Sequence, residues 1–472
     1  MFLPPEILLS IFQGLPNSDL RTFALVCRSW VSASRSQAFN HLRLDLHLDK
    51  PTSALRFVEL CESPLETFTA AGVQTLVITD YHIKWMCRRQ TFSLEKLWNW
   101  RSSDKRRSLS TILSGIRSLH LHYVDLDASV PLPSEIFGSV KDLHLYYTRF
   151  DNCGTFLNVL QAIESLDSLN MTGCGEPIDD EALQIEEFDV RNSKELACRS
   201  TLRAISLQNM KDARLVGLLV PSPALQTLRV ASQSLPRHHG VQVVAEVRSL
   251  MVSARSSLNS VRLDLTDSLG IRDFVSSFHD DPLVEYPHLR ELELLIAPHE
   301  LISFLDGISG RGLSRLPIAT SPLTTLRITS LNSTRSSSDW RTLEAILQRP
   351  YFSSLERLVP NFYIMFRSTD VKQQPKALSY DTPDECSPVQ VMLRLDIIRL
   401  REHLPKCSER GIIAPRVEYS FIPDPVTSRP TAPPPAPAMT KFEKLKALMK
   451  RILLRRHITG SRNAANERRY SY

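Results

Sequence analysis

The chain has 472 residues, 42% of them hydrophobic and 23% charged, with a formal net charge of +6. That length allows more than one buried core, the balance is that of an ordinary globular protein, and the lack of any run of about twenty apolar residues excludes a helical membrane span. The eight cysteines (Cys27, Cys61, Cys87, Cys153, Cys174, Cys198, Cys386 and Cys407) stand apart, without the short paired spacings of a disulfide framework or a structural zinc site, which points to reduced thiols in cytoplasm or nucleus. The apolar start is broken by Pro4, Pro5 and Glu6 and carries no basic leader or small-residue cleavage site, so no secretory signal is expected.

The first thirty residues predict two short helices joined at a proline. Ile7, Leu8, Ile11, Phe12 and Leu15 recur at helical intervals, and Pro4 and Pro5 sit where a first turn tolerates a missing N–H. Leu15-Pro16 ends that helix. Asn17 or Ser18 caps the next, Asp19 lies in its first turn, and Leu20, Phe23, Ala24 and Cys27 form its inner stripe, with Val26 and Trp30 pointing elsewhere. So small a piece has more apolar surface than it can hide, and the first stripe, Phe12 included, is expected to stay open for a second polypeptide. On periodicity alone, an ordinary core hairpin is the competing reading.

The run Leu3-Pro4-x-Glu6-Ile7-Leu8-x-x-Ile11-Phe12-x-x-Leu15-Pro16-x-x-Asp19-Leu20, followed by Val26-Cys27-Arg28-x-Trp30, resembles the F-box, the helical module that docks onto the Skp-type adaptor of cullin-based ubiquitin ligases. The resemblance implies that Leu3, Pro4, Ile7, Leu8, Ile11, Phe12, Leu15 and Pro16 contact the adaptor, and through it a cullin, or support those contacts. Phe39 departs from the Leu-Trp pair that many members carry there. This module is assigned residues 1–45.

From residue 46 to 366 the chain repeats one phrase, an apolar residue followed at three and five positions by two more. It runs Val73-Leu76-Ile78, Ile116-Leu119-Leu121, Val140-Leu143-Leu145, Leu166-Leu169-Met171, Leu202-Ile205-Leu207, Leu225-Leu228-Val230, Leu258-Val261-Leu263, Leu289-Leu292-Leu294 and Leu323-Leu326-Ile328, with Leu355-Leu358 beginning a tenth. Steps of 23 to 43 residues leave room for one strand, a loop and one helix each. Strands so connected lie in parallel, and units that cannot bury their own faces stack into a solenoid. The phrase resembles the leucine-rich repeat, and Leu169-x-Met171-x-x-Cys174 comes nearest to that family's full form. The fold class expected is therefore an α/β repeat: a helical F-box, then an irregular leucine-rich-repeat-like solenoid with parallel strands on its concave side and enlarged helices outside, then a disordered basic tail. An α/β domain of another topology is the alternative.

Strand alternation then selects a surface. If Leu119 and Leu121 point inward, Ser118, His120 and His122 point to the concave face, followed by Asp142, His144 and Tyr146, by Ser168, Asn170 and Thr172, by Ser206 and Gln208, by Arg229, by Arg262 and Asp264, by Glu291 and Glu293, and by Arg327 and Thr329. A polar strip of mixed charge suits a folded target protein, and His120, His122, His144, Tyr146, Arg229, Arg262, Glu293 and Arg327 are its candidate contacts. The three histidines can meet on adjacent strands, yet only Asp142 stands near to complete a ligand set, so no metal is assigned. Gly307-x-x-Gly310-x-Gly312 lacks the Lys-Ser/Thr of a phosphate loop and reads as a flexible turn. No nucleophile-base arrangement is found, so neither an enzyme activity nor a cofactor nor a small-molecule substrate is expected.

Between Met86 and Ser110, Trp98 and Trp100 interleave with Arg88-Arg89 and Lys105-Arg106-Arg107. Stacking on nucleic acid bases is one reading, and an amphipathic helix burying Leu94, Leu97, Trp98 and Ile112 is the other. Ser336-Ser337-Ser338-Asp339 predicts a loop entering a helix cap near Trp340. An irregular capping region, 367–422, contains a helical stretch over Val389–Leu404, and residues 423–440 form a proline-rich linker with Pro-x-x-Pro spacing at Pro430–Pro433 and Pro434–Pro437, either an SH3-type ligand or a spacer. Residues 441–472 hold a basic amphipathic helix, 441–456, in which Phe442, Leu445, Met449, Ile452 and Leu453 share one face. Positions 440–472 carry a net +8, which leaves −2 for all that precedes them and makes the basicity a property of the tail. Contact with an anionic membrane or with nucleic acid, or packing back onto the repeats, are its candidate roles. Together these readings describe a substrate-recognition adaptor of a ubiquitin ligase, the alternative being a non-ligase repeat scaffold tethered through that basic helix.

Overall fold

A strand-and-helix unit has apolar surface on both sides of its strand, so each unit needs a neighbour. The computed structural model describes residues 5–13, 15, 19–20, 22, 28–47, 53–63, 72–80, 92–128, 132–175, 197–210, 212–231, 237–264, 286–295, 298–310, 322–329, 337–367 and 397–422. The repeated phrase becomes short parallel strands: β1 (His41–Asp45), β2 (Thr75–Thr79), β3 (Ser118–His122), β5 (Asp142–Tyr146), β7 (Ser168–Thr172), β8 (Ala204–Gln208), β9 (Thr227–Ala231), β10 (Ser260–Asp264), β11 (Glu291–Leu295), β12 (Thr325–Thr329) and β13 (Arg357–Arg367). With β14 (Arg416–Ile422) they form one twelve-stranded sheet in chain order. Two-residue strands β4 (Asp125–Leu126) and β6 (Arg149–Phe150) pair separately, also in parallel. The architecture is an N-terminal helical module followed by an α/β repeat solenoid.

The register holds throughout. Leu42, Leu76, Leu119, Leu143, Leu169, Ile205, Leu228, Val261, Leu292, Leu326 and Leu358 occupy successive rungs of one row, and all are buried. Two further ladders join coil to coil. In the long sheet the carbonyl just before each strand up to β12 accepts two N–H groups from the next coil, as Arg117 does from Lys141 and Asp142 at 2.7 and 3.0 Å. A hydroxyl just before the first apolar position of the phrase reaches back to the previous coil: Ser139 to the Ile116 carbonyl at 3.0 Å, Ser165 to Val140 at 3.2 Å, Thr201 to Leu166 at 2.8 Å and Ser257 to Leu225 at 2.7 Å. Past the strands, the buried Thr148 hydroxyl and the Cys174 thiol donate to the Leu121 and Leu145 carbonyls at 3.0 and 3.4 Å. Cys174 thus ties its coil to the one before it, and Thr148 does the same one coil earlier.

Several expectations are corrected. The sheet begins one coil before Val73, because Phe39, Leu42 and Leu44 carry the same phrase, so β1 lies inside the stretch assigned to the helical module. The region around Trp98 is two short helices, Leu94–Trp98 and Leu109–Leu113, not one. Trp98 and Trp100 are both buried, Trp98 edge-on to Phe137 at 5.2 Å, so neither ring is open to stack on a nucleobase. Gly307 and Gly310 lie in the helix Pro298–Gly310 instead of a turn. There Leu301, Phe304, Leu305 and Ile308 are buried at helical spacing, and that burial outweighs the roughly 1 kcal/mol that each glycine costs a helix.

The C-terminal end of the sheet is covered by residues 397–414. The His403 ring stacks on Trp340 at 5.8 Å, and Leu358 bridges Ile413. The Arg410 guanidinium donates to the carbonyls of Leu347, Phe352, Ser353 and Leu355, and the Glu344 carboxylate accepts the N–H groups of Lys406 and Cys407 at the start of the helix Pro405–Glu409. Residues 1–364 and 379–418 make one compact unit, and 365–378 with 419–472 make a second, of which only the ends of β13 and β14 are described. The proline-rich linker and the basic segment 441–456 lie outside the described residues. No helix among the described residues is long and apolar enough to cross a membrane. Cys61, Cys153, Cys174, Cys198 and Cys407 are buried, and burial pushes the thiols of Cys61 up to about 12 and of Cys198 and Cys407 up to about 11, which leaves these three unreactive.

Candidate functional site

In the N-terminal module, the helix Pro5–Phe12 packs on the helix Arg28–Phe39. Leu8, Phe12, Leu20 and Ala33 are its buried cluster, with Leu15, Trp30 and Ala38 against them. Phe12 is 1% exposed and meets the Trp30 ring edge-on at 5.9 Å. Two expectations are therefore corrected: Phe12 is not open to a partner, and Trp30 does not point away but completes the cluster. The cover comes from the module itself, since the helix Arg28–Phe39 lands on the Leu8–Phe12 side. That leaves Ile7 and Ile11, one turn apart and 47% and 50% exposed, as the apolar strip facing outward. Leu3, Pro4 and Pro16 lie outside the described residues.

On the open face of the sheet, the rungs fall into rows. His120, His144, Arg229, Arg262, Glu293 and Arg327 share the middle row, with Arg43, Asn170 and Ser206. His122 and Tyr146 are adjacent rungs of the next row, which continues to Thr172 and Gln208. The eight predicted contacts are thus on one face, but the strip is not evenly mixed. From β3 to β8 its middle and next rows hold no ionisable groups except histidines and one tyrosine, whereas the charges of the middle row, Arg43 on β1 aside, gather from β9 to β12, where Arg262 pairs with Glu293 at 3.4 Å.

The uncharged half is aromatic. His120 and His144 stack at 4.1 Å with rings 11° apart, His122 lies 6.0 Å from His120, and Tyr146 lies 5.5 Å from His122. Parallel rings present faces to each other, not converging nitrogens, and His120 Nε2 is already in a hydrogen bond with the Ser118 hydroxyl at 3.0 Å. Among the described residues no group of three His, Cys, Asp or Glu is placed to hold a metal ion. Burial, then the positive forms of His144, His122 and His41, hold His120 down at about 4. Burial also lowers His122, with Arg43 and His144 adding to it, and lowers His144 against the pull of Asp142. At neutral pH the patch is uncharged.

The sign of its pH response follows. Below about 6.5 the unfolded chain binds protons that folded His120 refuses, so stability falls as pH drops from about 6.5 toward 4. For a half-buried ring the loss is about 1–2 kcal/mol after allowing for solvent screening. Chemical denaturation of the native protein and of His120→Asn, which copies the Asn170 rung, should show a shallower loss in the variant across that window; identical slopes would contradict this account.

Sequence reasoning missed Tyr123 and Tyr147, which lie just past the strands. They stack at 5.4 Å with rings 4° apart, and Tyr146 sits edge-on to Tyr147 at 4.7 Å. The signal was the tyrosine directly after each strand, in His122-Tyr123 and Tyr146-Tyr147. Tyr123, Tyr147, Gly173 and Asn209 all have positive φ, because there the chain turns its N–H onto the last strand carbonyl of the next coil, at 2.7–2.8 Å. A tyrosine in that conformation costs about 1–2 kcal/mol, which ring stacking offsets in part. Gly173 is needed twice over: its φ is +64°, and a Cβ there would come within 2.6 Å of the Tyr147 ring. Gly173→Ala is expected to cost about 2–3 kcal/mol from backbone strain and displacement of that ring. Thermal denaturation checks this, and an unshifted melting temperature would refute it.

Residues 2–44 match the F-box-like family model. That segment is an F-box-like domain, and a parallel-strand repeat solenoid follows it. No curated protein matches it.

Proposed function

We propose that this protein is a substrate receptor of a cullin-type ubiquitin ligase. An F-box is an adaptor-docking module in ligases of that kind, and the observation that carries the reading is the exposed Ile7–Ile11 strip standing on a module core of Leu8, Phe12, Leu20 and Trp30. Ile7 and Ile11 make the direct apolar contact with the Skp-type adaptor, Leu8, Phe12 and Leu15 hold the helix that presents them, and Leu3, Pro4 and Pro16 flank it. The open sheet face holds the target protein, with Tyr146, Tyr147 and the stacked histidines as aromatic anchors and the arginines as polar ones. The receptor does no chemistry itself; it raises the local concentration of target at the ubiquitin-transferring subunits, in cytoplasm or nucleus. Mixing the purified chain with a Skp-type adaptor and a cullin should give one co-eluting species in gel filtration. A chain that elutes apart from the adaptor would refute the proposal.

A further inference from the structure

The charged half of the open face carries more positive charge than it uses. Arg229, Arg262 and Arg327 stand in the middle row on β9, β10 and β12, and the only carboxylate between them is Glu293 on β11. Arg262 takes it, at 3.4 Å. Arg229 and Arg262 are directly registered neighbours, an arrangement in which like charges repel, and among the described residues Arg229 and Arg327 make no ion pair. The nearby acids do not correct this: Glu291 lies one row away against the Ser260 hydroxyl at 3.4 Å, and Asp264 is buried. The excess is also local, because the chain before residue 440 is net negative.

We propose that this arginine row binds an acidic, carboxylate-rich segment of the target protein, laid across β9 to β12. The inference rests on the receptor reading and adds the chemistry of what is received. Three strand steps of about 4.8 Å span about 14 Å, the length of four or five extended residues. An extended chain shows every second side chain on one side, so two or three carboxylates of such a segment can meet Arg229, Arg262 and Arg327. Towards β8 the same segment reaches Ser206, Asn170 and Gln208, which hydrogen-bond peptide groups without asking for charge.

The test uses the full-length protein and fluorescence anisotropy of a labelled twelve-residue peptide of Glu, Asp and Ser, against a Gln/Asn/Ser peptide of the same order. The acidic peptide should bind at least about tenfold more tightly, with affinity falling as salt is raised. In the Arg229→Glu, Arg327→Glu variant, and to a smaller degree in Arg229→Gln, Arg327→Gln, acidic-peptide binding should weaken at least about tenfold while adaptor binding is retained. Unchanged binding by the double variant would place the acidic site elsewhere, the basic tail included, and overturn the proposal. Equal binding of the neutral peptide, or binding that requires phosphoserine in place of Ser, overturns it as well. Adaptor binding measured on the same samples separates the two readings: its loss in the native protein strikes the receptor assignment, whereas its retention without acidic-peptide binding strikes only the arginine row.

Discussion

Replacing Ile7 and Ile11 together by aspartate is expected to abolish adaptor binding while leaving the chain folded. Both side chains are about half exposed and stand outside the module's own cluster, so charging them costs the folded chain no more than an ordinary surface change, within about 0.5 kcal/mol each. In the complex the balance is different. Each isoleucine that is buried against a partner contributes about 1.5–3 kcal/mol, and an aspartate at the same place must be desolvated without a counter-charge. Together the two substitutions should weaken the adaptor complex by about a thousandfold or more, at 1.4 kcal/mol per factor of ten. Titration calorimetry with purified adaptor gives the affinity and a thermal melt gives the fold. Undiminished affinity would remove the strip from the interface.

Phe12→Ala should have the opposite profile. Phe12 is the largest fully buried side chain of a small cluster and bears on Trp30, so truncation leaves a cavity that the neighbours cannot close. Losses of about 3–5 kcal/mol are usual for a buried phenylalanine, and a helical module of this size has little stability in reserve. Residues 5–39 should then exchange their amide hydrogens far faster than in the native protein, while the sheet, whose rungs are stabilised by their own neighbours, keeps its protection. Adaptor binding falls here too, through loss of the helix that carries Ile7 and Ile11. Native-like exchange in residues 5–39 of Phe12→Ala would show that the cluster is not what holds the module together.

The contrast between these neighbours shows where sequence reading stopped. Ile11 and Phe12 both lie within the apolar stripe of one short helix, about 100° apart, and which of them becomes core depends on the side from which the helix Arg28–Phe39 approaches. Nothing within eight residues records that side. Gly307 and Gly310 are the converse case: their local preference is for a turn, and a neighbouring helix that buries Leu301, Phe304 and Ile308 overrides it. The aromatic shelf was half legible. Tyr146 was found because it is on a strand, whereas Tyr123 and Tyr147 follow strands, and their stacking depends on a left-handed turn that repeats from coil to coil.

Alternation along each strand is a local property, enforced by a side-chain period of two, and so the parallel repeats, the buried row from Leu76 to Leu358 and the identity of the open-face residues could be written down from the chain alone. The F-box was legible for a related reason, since its apolar and proline spacing lies within thirty consecutive residues. Everything that depended on one element meeting another was decided by tertiary packing: the burial of Phe12 and exposure of Ile7 and Ile11, the stacking of His120 on His144, and the gathering of Arg229, Arg262 and Arg327 into one row. Residues tens of positions apart share a rung only when the helices between them fix the register, and that is a property of packed volumes rather than of any short stretch of residues.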